Sequence, residues 1–210
     1  MTIKLRYGNT NTFLVTGKSG YLLVDTDYAG MLPAFYKALK ATGIHTKDIS
    51  FVLATHYHPD HMGLIPDLMK QGVRLLLMDT QRNDVHYSDQ IFSREKHLRF
   101  LPFDESEAKV VSCSESRAFL AGIGIDGEII STPSHSRDSV SLILDDGDCF
   151  VGDLEPMEYL SAYRENTALK KDWDAILSFC PKHILYSHVN EKTIERQYKD
   201  RHLNLLQTFP

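Results

Sequence analysis

The sequence predicts a layered α/β fold in which two β-sheets face each other with helices on the outside. Three observations carry this expectation. Short apolar strands open the chain, helix and strand patterns then alternate, strands return, and a helix–strand–helix pattern closes the 210 residues. No repeat of 20–50 residues and no low-complexity segment interrupts that order. Several strand patterns end in His or Asp, which is where a layered α/β fold places its chemistry. At this length one domain spanning 1–210 is expected, large enough to bury a core.

The elements follow in order. "IKLRY", "NTFLVT" and "GYLLVDT" read as strands, with "GKSG" as the turn joining the second and third. Residues 31–43 place apolar side chains at helical spacing between Pro33 near the start and Gly43 at the stop. "ISFVLATH" is a near-continuous apolar run, the pattern of a strand buried on both faces. Pro66 opens and Gly72 closes a short helix, and "VRLLLM" is the next strand. Residues 79–107 are polar and helix-prone, and are expected to lie over the domain rather than in its core. "VVSCS", "RAFLAGIGI", "GEIISTP", "VSLILDDG" and "DCFVGD" read as further strands. A helix over 166–179, the strand "HILYSH" and a terminal helix from 191 complete the pattern.

Composition narrows the functional classes. Hydrophobic residues make up 42% and charged residues 24%, an ordinary globular balance. The net charge of −5 gives no electrostatic footprint for nucleic acid, so none is expected as a partner. The opening residues lack an uninterrupted apolar region and a small-residue cleavage site, and no apolar run approaches a membrane span. Cys113, Cys149 and Cys180 are odd in number and widely spaced, which predicts reduced thiols rather than a disulfide framework or thiolate zinc site. A cytoplasmic location and no membrane partner are the corresponding expectations. The oligomeric state is not encoded in any pattern.

One stretch concentrates metal-grade side chains: "THYHPDH", residues 55–61. In an extended segment residues two apart face the same way, so His56 and His58 can grip one ion. Pro59 forbids helix at His58 and helps to hold that geometry. Asp60 and His61 lie just beyond, where the chain bends, and can face a second ion. A catalytic site needs a third protein ligand besides an open position. His135 in "STPSHS" supplies one for the first ion, and His188 in "YSHV" completes the second. Asp153 in "FVGD" carries two carboxylate oxygens and can bridge both. The expected sets are His56, His58, His135 and Asp153 on one ion, and Asp60, His61, His188 and Asp153 on the other. Imidazole with carboxylate suits zinc, and also iron and manganese. His45, His86, His97, His183 and His202 read as surface or hydrogen-bonded histidines. Tyr57 and Tyr159 are candidates to donate a hydrogen bond to a substrate oxygen, with packing the competing role.

With these motifs in this order, and "YLLVDTD" ending an early strand in Asp25, the chain resembles the metallo-β-lactamase superfamily from about Leu14 to Val189. The resemblance implies a four-layer αβ/βα sandwich of two mixed β-sheets with outer helices and metals at one edge between the sheets. Asp25 would then orient a ligand rather than bind metal. Ser134 departs from the glycine that relatives usually carry before the histidine. The β-lactamases themselves generally have Cys or Ser in place of the bridging aspartate, so Asp153 makes the pattern more similar to glyoxalase II, lactonases and related hydrolases. The implied activity is hydrolysis of a small-molecule ester, thioester or lactone by a hydroxide bridging two ions, with Asp60 relaying its proton. A mononuclear iron thiol or persulfide dioxygenase, a phosphodiesterase and a non-enzymatic metal-binding module remain alternatives.

Overall fold

A computed structural model describes residues 1–98, 100, 102, 104–162 and 165–194. Among these, the strands form two sheets. The first runs β1 (Thr2–Leu5), β2 (Thr12–Gly17), β3 (Gly20–Val24), β4 (Ile49–Leu53), β5 (Arg74–Met78) and β6 (Lys109–Val111) in spatial order. Its first two pairings are antiparallel and the remaining three parallel. The second sheet comprises β7 (Gly127–Ser131), β8 (Val140–Leu144), β9 (Asp148–Gly152), β10 (His183–Tyr186) and β11 (Lys192–Thr193), in the order β11-β10-β9-β8-β7. Only β9 and β10 pair in parallel there.

Three apolar layers explain the stacking. Phe13, Val15, Leu22, Val24, Phe51 and Leu53 of the first sheet meet Leu142, Leu144, Phe150 and Leu185 of the second in one buried cluster. The alternate residues of the first sheet, Leu14, Leu23 and Val52, face outward. There they pack on Phe35 and Leu39 of helix α1 (Leu32–Ala41). Ile143, Cys149, Val151 and Ile184 do the same on the far side of the second sheet. They pack against Leu169, Trp173 and Ile176, on the last long helix over Thr167–Ser178. Trp173 is wholly buried, and truncating such a side chain typically costs about 3–5 kcal/mol. The result is helix, sheet, sheet, helix, the sandwich expected.

Four local expectations need correction. "RAFLAGIGI" is not a strand: Cys113–Gly122 is an α-helix opened by Ser112. The Ser112 hydroxyl donates to Glu115 Oε2 at 2.6 Å, and that carboxylate also accepts the Ser112 amide. "VVSCS" contributes to β6 only as far as Val111. The 79–107 segment is not confined to the outside, because Val85 and Phe92 join the cluster beneath α1. Finally, the chain forms β11 at 192–193, where a terminal helix is expected, and that expected helix from 195 onward lies outside the described residues. Other helices, in chain order, are α2 (Pro59–Met62), α3 (Ile65–Met69) and α4 (Asp89–Arg94); Cys113–Gly122 is α5 and Thr167–Ser178 is α6. No helix among the described residues is long and apolar enough to cross a membrane.

Candidate metal centre

Four chain segments deliver the seven expected ligands to one end of the sandwich. His56 follows the end of β4, and His58 is the residue before α2. Asp60 and His61 lie in the single turn of α2, so the bend expected after His58 is a helical turn begun by Pro59. His135 sits between β7 and β8, Asp153 directly follows β9, and His188 follows β10.

These side chains converge. His56 Nε2 lies 2.9 Å from His58 Nδ1, which is 3.3 Å from His135 Nε2. Asp153 Oδ2 approaches His61 Nε2 at 3.3 Å, His135 Nε2 at 3.9 Å and His56 Nε2 at 4.0 Å. Its other oxygen is 3.3 Å from His188 Nε2, which in turn pairs with Asp60 Oδ2 at 3.0 Å. Three overlapping groups of ligand atoms each fall within 4.8 Å: His56, His58 and His135; His56, His61 and Asp153; and Asp60, His61 and His188. For all these approaches, the buried His61 Nε2 and Asp153 Oδ1 have no hydrogen-bond partner of good geometry among the described residues. Buried polar atoms are normally satisfied, so orphaned polar atoms within a cluster of imidazole and carboxylate groups fit a cation.

The charge distribution is uneven across the cluster. Burial, with His61 nearby, pushes the His56 pKa well below the ordinary histidine range, and burial lowers His135 as well. His61 behaves oppositely. Burial opposes its charged form, but Asp25 and Asp153 carry its pKa up to about 10. Contacts with Asp153 and Asp60 raise His188 to about 10. Burial works against the Asp153 carboxylate, yet His188 and His61 hold it far below the usual range.

The sequence reading places Asp25 behind the ligands, and the structure shows what it touches there. Its carboxylate accepts from Thr55 N at 2.6 Å, Thr55 Oγ1 at 3.0 Å and Ser187 Oγ at 2.9 Å, and faces His61 Nδ1 at 2.9 Å. Holding Nδ1 leaves His61 Nε2 turned toward the cluster. Asp25 adopts φ +57°, a left-handed backbone that Asp tolerates better than most residues. Gly152 also has a positive φ, +59°, and a side chain there would press on Thr55.

Further supports carry no signal of their own in the sequence. Asp172 on α6 accepts the Ser134 amide at 2.8 Å and so ties down the loop carrying His135. Ser134 itself is not among the residues with positive φ, so serine fits where relatives carry glycine. Asp138 accepts the Tyr57 amide at 2.7 Å, and buried Gln81 donates to the carbonyls of Ala54 and Asp138. Asn11 Nδ2 donates to the carbonyls of Tyr186 and Val189, bracketing His188.

The two tyrosine candidates fare differently. Tyr57 is a correction: its side chain is completely buried in the cluster beneath α1, so its hydroxyl does not face a substrate. Tyr159 is 47% exposed on the short 3-10 turn Met157–Ser161, with none of the seven ligands among its described contacts. The tyrosine beside the cluster is Tyr87, 55% exposed, with its ring 5.3 Å from that of His58. Of the histidines outside the cluster, His86 lies between Asp89 and Glu105, and His183 pairs with Asp148. His45 and His97 each lie near an acidic neighbour, and His202 is outside the described residues. The three cysteines are free.

The comparisons with known proteins agree with this architecture. Beta-lactamase-like protein 2 homolog of Drosophila melanogaster is 25% identical over 86% of the chain and 59% of its own length. Lactamase-like protein nscB of Arthroderma benhamiae is 31% identical over 69% of the chain and 28% of its own length. The chain therefore spans less than two thirds of each of these relatives. Among solved structures, the BLEG-1 B3 metallo-beta-lactamase superposes with TM-score 0.67 at 19% identity, covering 95% of this chain and 97% of that one. The metallo-beta-lactamase family protein TTHA1429 of Thermus thermophilus gives 0.64 at 20% identity, covering 98% and 79%. These structural likenesses speak to the fold. The profile of the metallo-beta-lactamase superfamily matches residues 5–160, and with the sandwich and the His/Asp clusters at its edge the chain belongs to that superfamily.

Proposed function

We propose that the protein is a dinuclear metal-dependent hydrolase acting on the carbonyl of a small ester, thioester or lactone. The observation that carries this reading is the position of Asp153, whose two oxygens face the three-histidine group on one side and His188 on the other. His56, His58, His135 and Asp153 would hold one ion, and Asp60, His61, His188 and Asp153 the other. Two bound divalent ions would supply Lewis-acid polarisation of a carbonyl and a water acidified enough to be a nucleophile near neutral pH.

The chain's own groups supply the rest. His56 and His135, whose pKa values burial lowers, present unprotonated nitrogens and need lose no proton to act as ligands. Asp25 fixes the His61 ring, and Asn11 and Asp172 fix the loops bearing His188 and His135. Burial opposes the Asp60 carboxylate, yet His188 and His61 hold it ionised, and its position beside His188 would let it relay a proton to a leaving oxygen or sulfur. The resemblance to hydrolases that keep aspartate at the Asp153 position supports ester, thioester or lactone hydrolysis over β-lactam hydrolysis.

The test is reconstitution with zinc, manganese or iron, followed by assay on thioesters, lactones, aryl esters, bis-p-nitrophenyl phosphate and a chromogenic cephalosporin. Zinc- or manganese-dependent turnover of the carbonyl substrates is expected. Turnover of the cephalosporin or the phosphodiester alone would overturn the reading, as would oxygen uptake on thiols with iron alone.

A further inference from the structure

We propose that the hollow beside His188, between the end of β1 and the loop after β10, is a subsite for an anionic group of the substrate, a carboxylate or a phosphate. The inference rests on the hydrolase reading for its link to turnover, but the geometry stands apart from it. A cavity of about 450 Å³ lies there, within the range of small-ligand pockets. Lys4, Arg6, Thr10 and Asn190 line it, His188 forms one wall, and none of its lining residues is acidic.

The sequence builds this hollow in a simple way. Ile3 and Leu5 of β1 turn toward the core, so the alternate positions Lys4 and Arg6 fall on the other side. The chain then bends through Gly8, where a Cβ would collide with the Asp27 carboxylate. That carboxylate accepts the amides of Thr10 at 3.1 Å and Tyr28 at 2.7 Å, which pins the loop from beneath. The same loop grips the ligand segment: Asn11 N donates to Ser187 O at 2.7 Å, and Asn9 O faces His188 Nδ1 at 3.2 Å. Cavity and His188 are therefore two sides of one structure.

Three features select an anion. Lys4 and Arg6 have no ion-pair partner within 4.0 Å among the described residues, although Glu191 acts on Lys4 from the side of a neighbouring hollow. Lys4 is half-buried, and burial and the Arg6 charge both press its pKa down, a cost that a bound anion relieves. No acidic residue lines the hollow. A carboxylate or phosphate would accept from both cations. In a chain of net charge −5, such a pair of cations also draws anions toward this end of the cluster.

The experiment has two arms. In the first, calorimetry compares the binding of inorganic phosphate and of succinate to the wild type and to the Lys4→Gln/Arg6→Gln double variant, as purified and after metal reconstitution. The variant is expected to bind one or both anions at least ~10-fold more weakly, the lower end of what a charge-assisted hydrogen bond supplies. Equal affinity for both anions would overturn the subsite. In the second arm, one acyl group is presented as thioesters whose thiol portion carries a carboxylate, a phosphate or a neutral amide. The anionic-to-neutral ratio of kcat/KM is expected to fall at least ~10-fold in the variant, chiefly through KM. An unchanged ratio with active enzyme overturns the subsite alone. Lost anion affinity without turnover of any thioester, aryl ester or lactone keeps the subsite and overturns the hydrolase reading.

Discussion

The His56–His58–His135 group and the Asp60–His61–His188 group sit side by side and share Asp153, yet they are prepared for a cation in opposite ways. In the first, burial lowers His56 and His135, and His58 Nδ1 lies 2.9 and 3.3 Å from their Nε2 atoms, with Asp153 the nearest carboxylate. In the second, Asp25, Asp60 and Asp153 surround two imidazoles whose pKa values they raise to about 10. An ion entering the second group would have to displace protons that its carboxylates favour. Two such groups built from one motif would then differ in affinity and in pH dependence through their carboxylates.

The largest effect should come from removing what the groups share. Asp153→Ala is expected to deplete both ions and to lower turnover by more than the roughly 100-fold seen when groups behind a metal ligand are lost. Elemental analysis of the purified variant checks it, and retention of two ions would break the comparison. His61→Ala touches the second group only. A folded protein holding about one ion is expected, with hydrolysis reduced at least ~10-fold and partly restored by excess zinc. Wild-type metal content with wild-type turnover would show that the second group does not serve a second ion.

Asp25→Asn should be milder. The amide keeps the shape but loses the charge facing His61 Nδ1, so affinity at the second site should fall by about 10-fold, with a smaller loss at the first, which Asp25 reaches through Thr55 and His56. Competition with a metal indicator resolves the two steps. A smaller effect concerns pH in the metal-free protein. Raised folded-state values near 10 for His61 and His188 mean that their stabilisation is complete below the ordinary 6.5 and is lost as pH rises toward 10. Melting temperature should therefore decline across that window without metal and decline less with it. A flat metal-free profile would show that the carboxylates do not hold those protons.

How much of the fold and of the site is legible in the sequence depends on whether the signal is local. β4 and the "THYHPDH" turn are contiguous, and strand periodicity with a proline-bounded turn suffices to read them. The sandwich follows from element order for the same reason. Helix α5 escapes because "RAFLAGIGI" is an apolar run that fits either period; the Ser112–Glu115 capping pair is the signal that decides it. Tyr57 illustrates the opposite failure. Its neighbours on either side are candidate ligands, but its own side chain turns into the core. Asp172, Asp138 and Gln81 act on segments 26 to 81 residues away in sequence, so no local pattern announces them. The Lys4 and Arg6 hollow is of the same kind, since its other wall comes from the far end of the chain.

The central claim is that the cluster holds two ions in unequal sites. Calorimetric zinc titration of the metal-free protein, repeated in buffers of different ionisation enthalpy, tests it most directly. Two binding steps approaching two ions per chain are expected, with proton release concentrated in one of them. A single step ending at one ion, or equal proton release in both steps, would contradict it.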